Sequence, residues 1–227
     1  MRTIPIAFAA AAATALFAPA AMAQTTDTDV GIHAGDVLAR ARVILVSPIE
    51  SSSAVEPAFP GSKVGVGYNV MPEVDFTYMA TDNIGAELIL GTTRHEATGR
   101  GTLSGVGKLA DTWVLPPTLT LQYHFMPHTK IRPYIGAGVN YTIFYSTDAS
   151  KELESAIGKT SVKMDDSFGY ALQAGIDVDV TKNLFVNLDV KYIDMDTTAK
   201  LNTNGAINRA DIHIDPIVVG LGIGTRF

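Results

Sequence analysis

The sequence predicts an all-β protein, an eight-stranded antiparallel up-and-down transmembrane β-barrel. Three observations predict it: apolar residues alternate with small or polar ones along eight segments, short and long connections alternate between these segments, and a secretory leader precedes them. Alternation with a period of two indicates strands, because successive side chains of a strand point to opposite faces. A strand with one apolar face suits lipid, and in a bilayer a closed barrel pairs every backbone group of its strands.

Residues 1–23 have the features of a secretory signal peptide. Arg2 is the basic start, residues 4–18 are apolar, and a small-x-small site predicts cleavage between Ala23 and Gln24. The alternative is an N-terminal membrane anchor, but the apolar run is short and lacks a stop-transfer flank. The remaining chain has no run of about 18 apolar residues that would form a spanning helix. Residues 24–227 are therefore expected to form a barrel in the outer membrane of a Gram-negative bacterium.

The composition bounds the functions that remain. With 47% hydrophobic and 18% charged residues, the chain is too apolar to be disordered. Its net charge of −6 argues against a nucleic-acid partner, which requires a basic patch. The chain has no cysteine, so a disulfide framework, a thiolate metal site and a cysteine nucleophile are all excluded.

The first strand is predicted over residues 37–47, where apolar residues alternate with Arg40 and Arg42. An arginine facing lipid at the bilayer midplane costs about 2–4 kcal/mol, so both arginines are expected to point into the barrel. The segment 63–71 alternates again and is predicted to extend the second strand above the membrane. Four of its residues are predicted to share one apolar face: Val64, Val66, Tyr68 and Val70.

The other strands are predicted by the same alternation over residues 74–80, 84–95, 115–125, 133–145, 166–180, 184–197 and 214–227. Short periplasmic turns are predicted at 81–83, 126–132 and 181–183, and long outer loops at 48–73, 96–113, 146–164 and 198–211. Within the third loop, residues 151–157 are predicted to form one or two turns of helix. Because outer-membrane barrels have short periplasmic turns and long outer loops, both termini are expected to be periplasmic.

The last strand shows the pattern most clearly. Its apolar residues fall on one face, whereas Gly220, Gly222, Gly224 and Arg226 fall on the other. These glycines do not form a phosphate loop, because no helix and no Lys-Ser/Thr pair follows them. An eight-stranded barrel has an interior just wide enough for side chains, so inward glycines relieve crowding. The terminal Phe227 is predicted to be a C-terminal signal for the outer-membrane barrel assembly machinery.

Nine charged residues are predicted to face the lumen: Arg40, Arg42, Asp75, Glu87, Asp177, Asp179, Asp189, Lys191 and Arg226. One interpretation is an ion pathway. The other is an internal salt-bridge network that plugs the barrel, and it is favoured because buried charges must be paired. Eight strands in any case leave no porin-sized channel.

The sequence predicts no enzyme, no metal site and no cofactor. It contains no GxSxG or HExxH motif, and the nearest pair of histidines, His124 and His128, is separated by a turn. Asp194 and Asp196 suggest calcium but fit better as solvated residues at the outer rim. An enzyme would need serine, histidine and a carboxylate to converge at that rim, which remains the least favoured alternative.

Several segments together closely resemble the OmpW family of small outer-membrane proteins. They are DFTYMATDNIGAEL (Asp75–Leu88), LPPTLTLQYHF (Leu115–Phe125), RPYIGAGVNYT (Arg132–Thr142), DDSFGYALQAGIDV (Asp165–Val178), YIDMDTTA (Tyr192–Ala199) and IDPIVVGLGIGTRF (Ile214–Phe227). The resemblance implies an eight-stranded barrel with a narrow apolar interior, a role in passing small hydrophobic compounds, and use as a receptor by bacteriocins. It also implies that Phe168 lies at a constriction where members often carry tryptophan. Alternation instead places Phe168 outward unless a bulge shifts the register.

The predicted function is passive passage of small hydrophobic molecules across the outer membrane, with lateral exit into lipid. The candidate apolar pathway consists of Val64, Val66, Tyr68, Val70 and Phe168. The alternative is a structural or surface-receptor barrel that acts through its outer loops, with a bacteriocin or phage as partner. The other expected partners are outer-membrane lipid, small hydrophobic solutes and the assembly machinery.

Overall fold

The structure, a computed structural model, describes residues 30–227. The predicted cleavage site at Ala23 and Gln24 lies outside the described residues. The elements are β1 (Val37–Ser47), β2 (Ser51–Ser52), β3 (Ser62–Val66), β4 (Asn69–Met79), β5 (Ile84–Gly91), β6 (Thr93–Gly101), β7 (Lys108–Leu115), β8 (Thr118–His124), β9 (Ile131–Ala149), α1 (Lys151–Ile157), β10 (Thr160–Met164), β11 (Ser167–Asp179), β12 (Leu184–Ile193), β13 (Asp196–Thr203), β14 (Ala206–His213) and β15 (Ile217–Arg226).

Eight strands close into an antiparallel barrel, which confirms the predicted fold class. Their order is β11, β12, β15, β1, β4, β5, β8, β9, and β9 pairs back to β11. Strands that follow one another around the chain are neighbours in the barrel, and β1 pairs with the last strand, β15. The first strand has its predicted bounds.

Side chains alternate between a polar interior and an apolar exterior along the barrel strands. In β1, Arg40 and Arg42 are buried, whereas Val43 and Leu45 are exposed. This is the alternation of a strand that has lipid on one side and a lumen on the other. Among residues 30–227, no helix is long and apolar enough to span a membrane.

The segments predicted as long outer loops contain secondary structure of their own. β7, β6 and β3 continue the barrel sheet beyond β9, and β10, β13, β14 and β2 form a separate four-stranded sheet. The two sheets enclose a cluster of buried apolar residues that includes Val55, Leu103, Leu153, Val162 and Leu201. The alternation was used to predict strands of bilayer length. The strands that lie outside the membrane, such as β6, β7, β13 and β14, were therefore not predicted. We call this part of the molecule the outer extension.

The predicted helix is present as α1, over residues 151–157. The Ser150 hydroxyl caps it by accepting a hydrogen bond from the Leu153 amide at 3.0 Å. The helix ends at Gly158, whose φ of 98° suits glycine and whose amide donates to the Glu154 carbonyl at 2.8 Å. Leu153 is buried, so the helix is fixed on the outer extension.

Candidate functional site

Buried charged side chains fill the half of the lumen that lies nearer the two ends of the described chain. Arg40 donates from Nη1 to Asp75 Oδ1 and from Nη2 to Asp177 Oδ2, each at 3.0 Å. Its Nη1 also donates to the Thr77 hydroxyl at 2.7 Å. All four side chains are buried, so water screens their attraction little.

Arg42 lies one inward position closer to the outer surface and joins three carboxylates. Its Nη1 lies 2.9 Å from Glu73 Oε1 and 2.8 Å from Asp75 Oδ2, and its Nη2 lies 3.4 Å from Glu87 Oε1. Its Nε donates to Asn187 Oδ1 at 2.6 Å. The guanidinium therefore connects β4 and β5 with β12 across the barrel.

Lys191 completes the set at the level of Glu73. Its Nζ lies 2.7 Å from Glu73 Oε1 and 2.8 Å from Asp189 Oδ1. Asp189 Oδ2 also accepts from the Tyr134 hydroxyl at 2.8 Å and from Gln173 Nε2 at 2.9 Å. We call the following eight residues the charge network: Arg40, Arg42, Glu73, Asp75, Glu87, Asp177, Asp189 and Lys191.

The charge network contains seven of the nine residues predicted to face the lumen. The other two lie at the rim that carries the short turns: Asp179 pairs with Arg132 at 2.5 Å, and Arg226 Nη2 donates to the Lys182 carbonyl at 2.7 Å. Glu73 was not among the predicted residues, because the second strand was predicted to begin at residue 74. Glu73 is two residues before Asp75 and therefore lies on the same face of the strand. Extending the strand by one residue would have predicted that Glu73 faces the lumen.

The charge network closes the lumen toward the barrel end that carries residues 37 and 227. Arg40, Arg42, Tyr134 and Lys191 are among the largest fully buried side chains of residues 30–227. Beyond them, a small cluster of Ile32, Leu38, Met79 and Phe185 fills that end. This packing favours a plug over an ion pathway.

Above the charge network lies a cavity with a mainly apolar lining, which we call the outer cavity. It offers about 70 Å³ of space that the centre of a water molecule can occupy. Glu73 and Lys191 of the charge network lie at its floor. Its apolar wall includes Ile44, Val46, Val66, Met71, Val114, Phe144, Met164, Met195, Ile212, Ile214 and Val218.

The outer cavity has a few polar lining residues, and β6 supplies three of them, Thr93, His95 and Glu96. Thr112 on the neighbouring strand β7 is a fourth, and its hydroxyl lies 2.9 Å from the Thr147 hydroxyl. The His95 ring is 9% exposed. Burial lowers the pKa of His95, and a hydrogen bond to the backbone of Gly67 raises it by less, so the ring is neutral at pH 7.

The structure separates the five residues of the predicted apolar pathway. Val64 is buried in the outer extension and Val66 lines the outer cavity, whereas Tyr68 and Val70 are 78% and 58% exposed. The prediction of one shared face was wrong, because the strand breaks at residues 67–68 and the alternation restarts in β4. Phe168 is 73% exposed on the exterior, as alternation predicted, so it does not form the constriction implied by the resemblance.

The fourth predicted strand, 115–125, corresponds to β8, and Pro116 and Pro117 separate it from β7, most of which lies in the segment predicted as a loop. The β5–β8 ladder ends at Ile89 opposite Thr118, and the β6–β7 ladder begins at Thr93 opposite Val114. Both ladders keep the same register, so residues 90–92 and 115–117 face one another without ladder pairs. We call this interruption the seam.

The prolines explain why the ladder stops at the seam. Proline has no N–H to donate, and the Pro117 carbonyl accepts from the Tyr141 amide at 3.1 Å, on the β9 side. At the outer end, the Thr92 hydroxyl donates to the Val114 carbonyl at 3.2 Å. Gly91 and Pro116 line the outer cavity, so the seam separates that cavity from the barrel exterior.

Histidines and carboxylates at other positions form local pairs. His124 is buried and lies 3.1 Å from Gln122 Oε1, whereas His128 is outside the lumen and lies 3.1 Å from Asp82. At the outer rim, Asp196, His213 and Asp215 have potential ligand atoms within 4.8 Å of one another. His213 Nδ1 lies 2.5 Å from Asp196 Oδ1, within hydrogen-bond distance, and both side chains are exposed.

Comparisons with known proteins agree with this architecture. The model of the OmpW family matches residues 33–227. Outer membrane protein W of Escherichia coli (strain K12) is 37% identical over 197 residues, which cover 86% of this chain and 90% of that protein. The dibenzothiophene metabolism operon protein PahQ of Pseudomonas aeruginosa is 34% identical, covering 74% of this chain and 76% of that protein. The crystal structure of OprG from Pseudomonas aeruginosa has a TM-score of 0.82 at 35% identity, covering 88% of this chain and 99% of that one.

Proposed function

The chain belongs to the OmpW family of outer-membrane barrels, and on that premise we propose that it passes small hydrophobic molecules across the outer membrane. A solute enters between the strands of the outer extension, binds in the outer cavity and leaves through the seam into lipid. It does not continue through the lumen, because the charge network lies beneath the cavity.

One observation carries the proposal: an apolar cavity lies directly on a floor of paired charges. Moving an apolar solute from water into the cavity is favourable, by about 25 cal/mol for each Å² of apolar surface removed from water. Moving it further would separate Glu73 and Lys191, whose paired atoms are 2.7 Å apart. Breaking a buried ion pair is costly, so a sideways route has the lower barrier.

The seam supports a sideways exit. Residues 90–91 and 116–117 lack ladder hydrogen bonds across the seam, so opening it breaks no backbone pair there. Gly91 has no side chain to obstruct the gap, and Leu90 presents an apolar side chain on the exterior. An apolar solute would thus pass from an apolar cavity to lipid without crossing bulk water.

The name of one relative supports the apolar character of the solute. PahQ is named for a dibenzothiophene metabolism operon, and dibenzothiophene is an apolar aromatic compound. Within this chain, the residues that we assign to the pathway are Val66, Met71 and the neighbouring wall of the outer cavity. They replace Tyr68, Val70 and Phe168, which lie on the exterior.

Uptake into liposomes tests the proposal. We expect the purified barrel to accelerate entry of a labelled small apolar solute, without accelerating entry of sucrose or potassium. Val66→Trp should reduce the acceleration by filling the cavity, whereas Val70→Trp, on the exposed exterior, should leave it unchanged. If wild type and both variants all match protein-free liposomes, transport is excluded and the alternative of a surface-receptor barrel with a bacteriocin or phage partner is favoured.

A further inference from the structure

The outer cavity is closed at both of its ends. At one end, Glu73 and Lys191 form the floor. At the other end, the hairpins and helix of the outer extension place Leu103, Leu153 and Leu201 in a cluster of buried apolar side chains. These three side chains are at most 7% exposed, and close-packed side chains leave no passage for a solute. A solute that reaches the cavity therefore enters it from the side.

The side wall of the outer extension has a gap in its backbone pairing. β3 is the last strand of the sheet that continues the barrel, β2 is the last strand of the four-stranded sheet, and no ladder joins these two strands among residues 30–227. The β1–β4 ladder bounds the gap on the barrel side, where it ends at Val46 opposite Asn69. Residues 53–61 connect β2 to β3 at the far side. We call the strip between residues 48–52 and residues 62–68 the outer window.

Side chains close the outer window. The Val64 amide donates to the Ser52 hydroxyl at 2.8 Å, and the Val66 amide donates to Oε2 of Glu50. The other carboxylate oxygen of Glu50, Oε1, pairs with Nη2 of Arg100 on β6. The Glu50 side chain is 12% exposed. Glu50 therefore ties the chain that leads into β2 to two strands of the opposite sheet, β3 and β6.

The β3 side of the outer window is built from small residues. Val66, which lines the outer cavity, lies between Gly65 and Gly67. A Cβ added at Gly67 would meet no atom within 4 Å, whereas one added at Gly65 would meet Nε of the Arg100 side chain at 2.5 Å. Release of the Glu50 carboxylate frees Arg100 to move, and open space already lies beside Gly67. The window thus opens next to the cavity without the loss of any ladder pair.

The opposite junction between the two outer sheets, from β9 to β10, is more fully packed. Asp166 accepts there from the Phe144 amide at 3.3 Å and from the Tyr141 hydroxyl at 3.0 Å. Two large side chains, Phe144 and Met164, line the cavity at this junction. Helix α1 joins β9 to β10 and places Leu153 in the buried apolar cluster. A solute would have to displace these large side chains, so the outer window has the lower barrier.

We infer that small hydrophobic solutes enter the outer cavity through the outer window, and that Glu50 is the residue that gates this entrance. Opening breaks the bonds of the Glu50 carboxylate to Val66 and Arg100, and it leaves every ladder of both sheets intact. Val66 is the first wall residue that an entering solute contacts. This inference rests on the proposed function, because it specifies the entrance to the same cavity.

The rate at which toluene binds to the folded barrel in micelles tests the inference, followed through the ¹³C-methyl resonance of Met164 in the cavity wall. A gate changes the barrier to binding and not the bound state. We therefore expect Glu50→Ala to raise the association and dissociation rates together by about 3- to 10-fold, the contribution of one hydrogen bond, and to leave the dissociation constant unchanged.

Two tryptophan variants block or spare the outer window. Gly67→Trp should slow association, because it fills the open space beside Val66. Gly105→Trp is the matched control: it lies in the turn between β6 and β7, an added Cβ there also meets no atom within 4 Å, and its rate should equal that of wild type. Because neither glycine contacts a neighbour that must move, Gly67→Trp keeps the inference falsifiable if Glu50→Ala does not fold.

Asp166→Ala loosens the opposite junction and should leave the association rate unchanged. Faster association in Asp166→Ala than in Glu50→Ala, or a wild-type rate in both Glu50→Ala and Gly67→Trp, overturns the inference. Uptake into liposomes separates this result from the proposed function. If wild type accelerates uptake while the Glu50 and Gly67 variants bind toluene at the wild-type rate, the entrance is wrong and the proposed function stands. If those variants change the binding rate as expected but wild type accelerates no uptake, the entrance is supported and transport is wrong.

Discussion

The two halves of the lumen differ in the polarity of the side chains that line them and in how fully they are packed. The half nearer the short turns is filled with charged side chains that pair with one another, whereas the half that holds the outer cavity is apolar and leaves space for a ligand. Both halves lie on the same strands: Arg40 and Arg42 alternate on β1 with the lipid-facing residues, and Ile44 and Val46 continue the same inward face. Along this face of β1, the change from charged to apolar residues marks the boundary between the plug and the cavity.

The halves also differ in how much they can move. In the half that holds the charge network, the arginines have several partners each, so a change at one position disturbs many others. In the outer half, the wall includes flexible methionines and is interrupted by the seam. Stability is therefore expected to depend on the first half and transport on the second.

The largest effect is expected from removing a charge in the charge network. Arg40→Met leaves Asp75 and Asp177 buried without their cation, and we expect a loss of about 3–5 kcal/mol in the free energy of unfolding. Urea unfolding in lipid vesicles measures it. Lys200→Met is the control, because Lys200 pairs with Asp165 in an exposed bridge worth about 0–1 kcal/mol. Equal losses in the two variants would show that the charge network does not stabilise the barrel.

A smaller effect is expected from added volume, and it should distinguish the two halves. A Cβ at Gly222 would meet the backbone of Ala41 and Arg42, which cannot move aside. A Cβ at Gly91, beside the outer cavity, would meet chiefly the end of the flexible Met71 side chain, at 3.2 Å. We expect Gly222→Ala to cost about 1–3 kcal/mol in the free energy of unfolding and Gly91→Ala to cost less. The reverse order would contradict a tight lower half and a loose upper half.

The smallest effect is expected at Phe168, on the lipid-facing exterior. Because its side chain lines neither half of the lumen, Phe168→Ala should leave the rate of apolar uptake unchanged. Val66→Trp in the same assay is the matched change inside the cavity, and it should slow uptake. Slower uptake in Phe168→Ala would show that the exterior at this position takes part in transport.

Strand alternation was sufficient to predict the barrel and most of the charge network. It placed Arg40, Arg42 and Asp177 inside because charges avoid lipid, and the structure buries all three. The same rule placed Phe168 outside correctly, against the constriction that the resemblance implied.

The outer half was less predictable, because no solvent boundary fixes the alternation outside the membrane. Tyr68 and Val70 were assigned to the face of Val64 and Val66, although a break at residues 67–68 reverses the inward parity. The seam was also missed: Pro116 and Pro117 are readable in the sequence, but their effect depends on which strand lies opposite. Only the packing of the outer extension shows that His95 is buried.

The seam provides the most direct test of lateral exit. The chain has no cysteine, so Leu90→Cys with Pro117→Cys introduces a single disulfide across the seam. The matched control is Leu88→Cys with Leu119→Cys, a pair that already lies opposite in the β5–β8 ladder. We expect oxidation of the seam pair to reduce uptake of an apolar solute into liposomes toward the protein-free rate, reduction to restore it, and the control pair to be insensitive to both. Undiminished uptake through a fully oxidised seam would contradict the account.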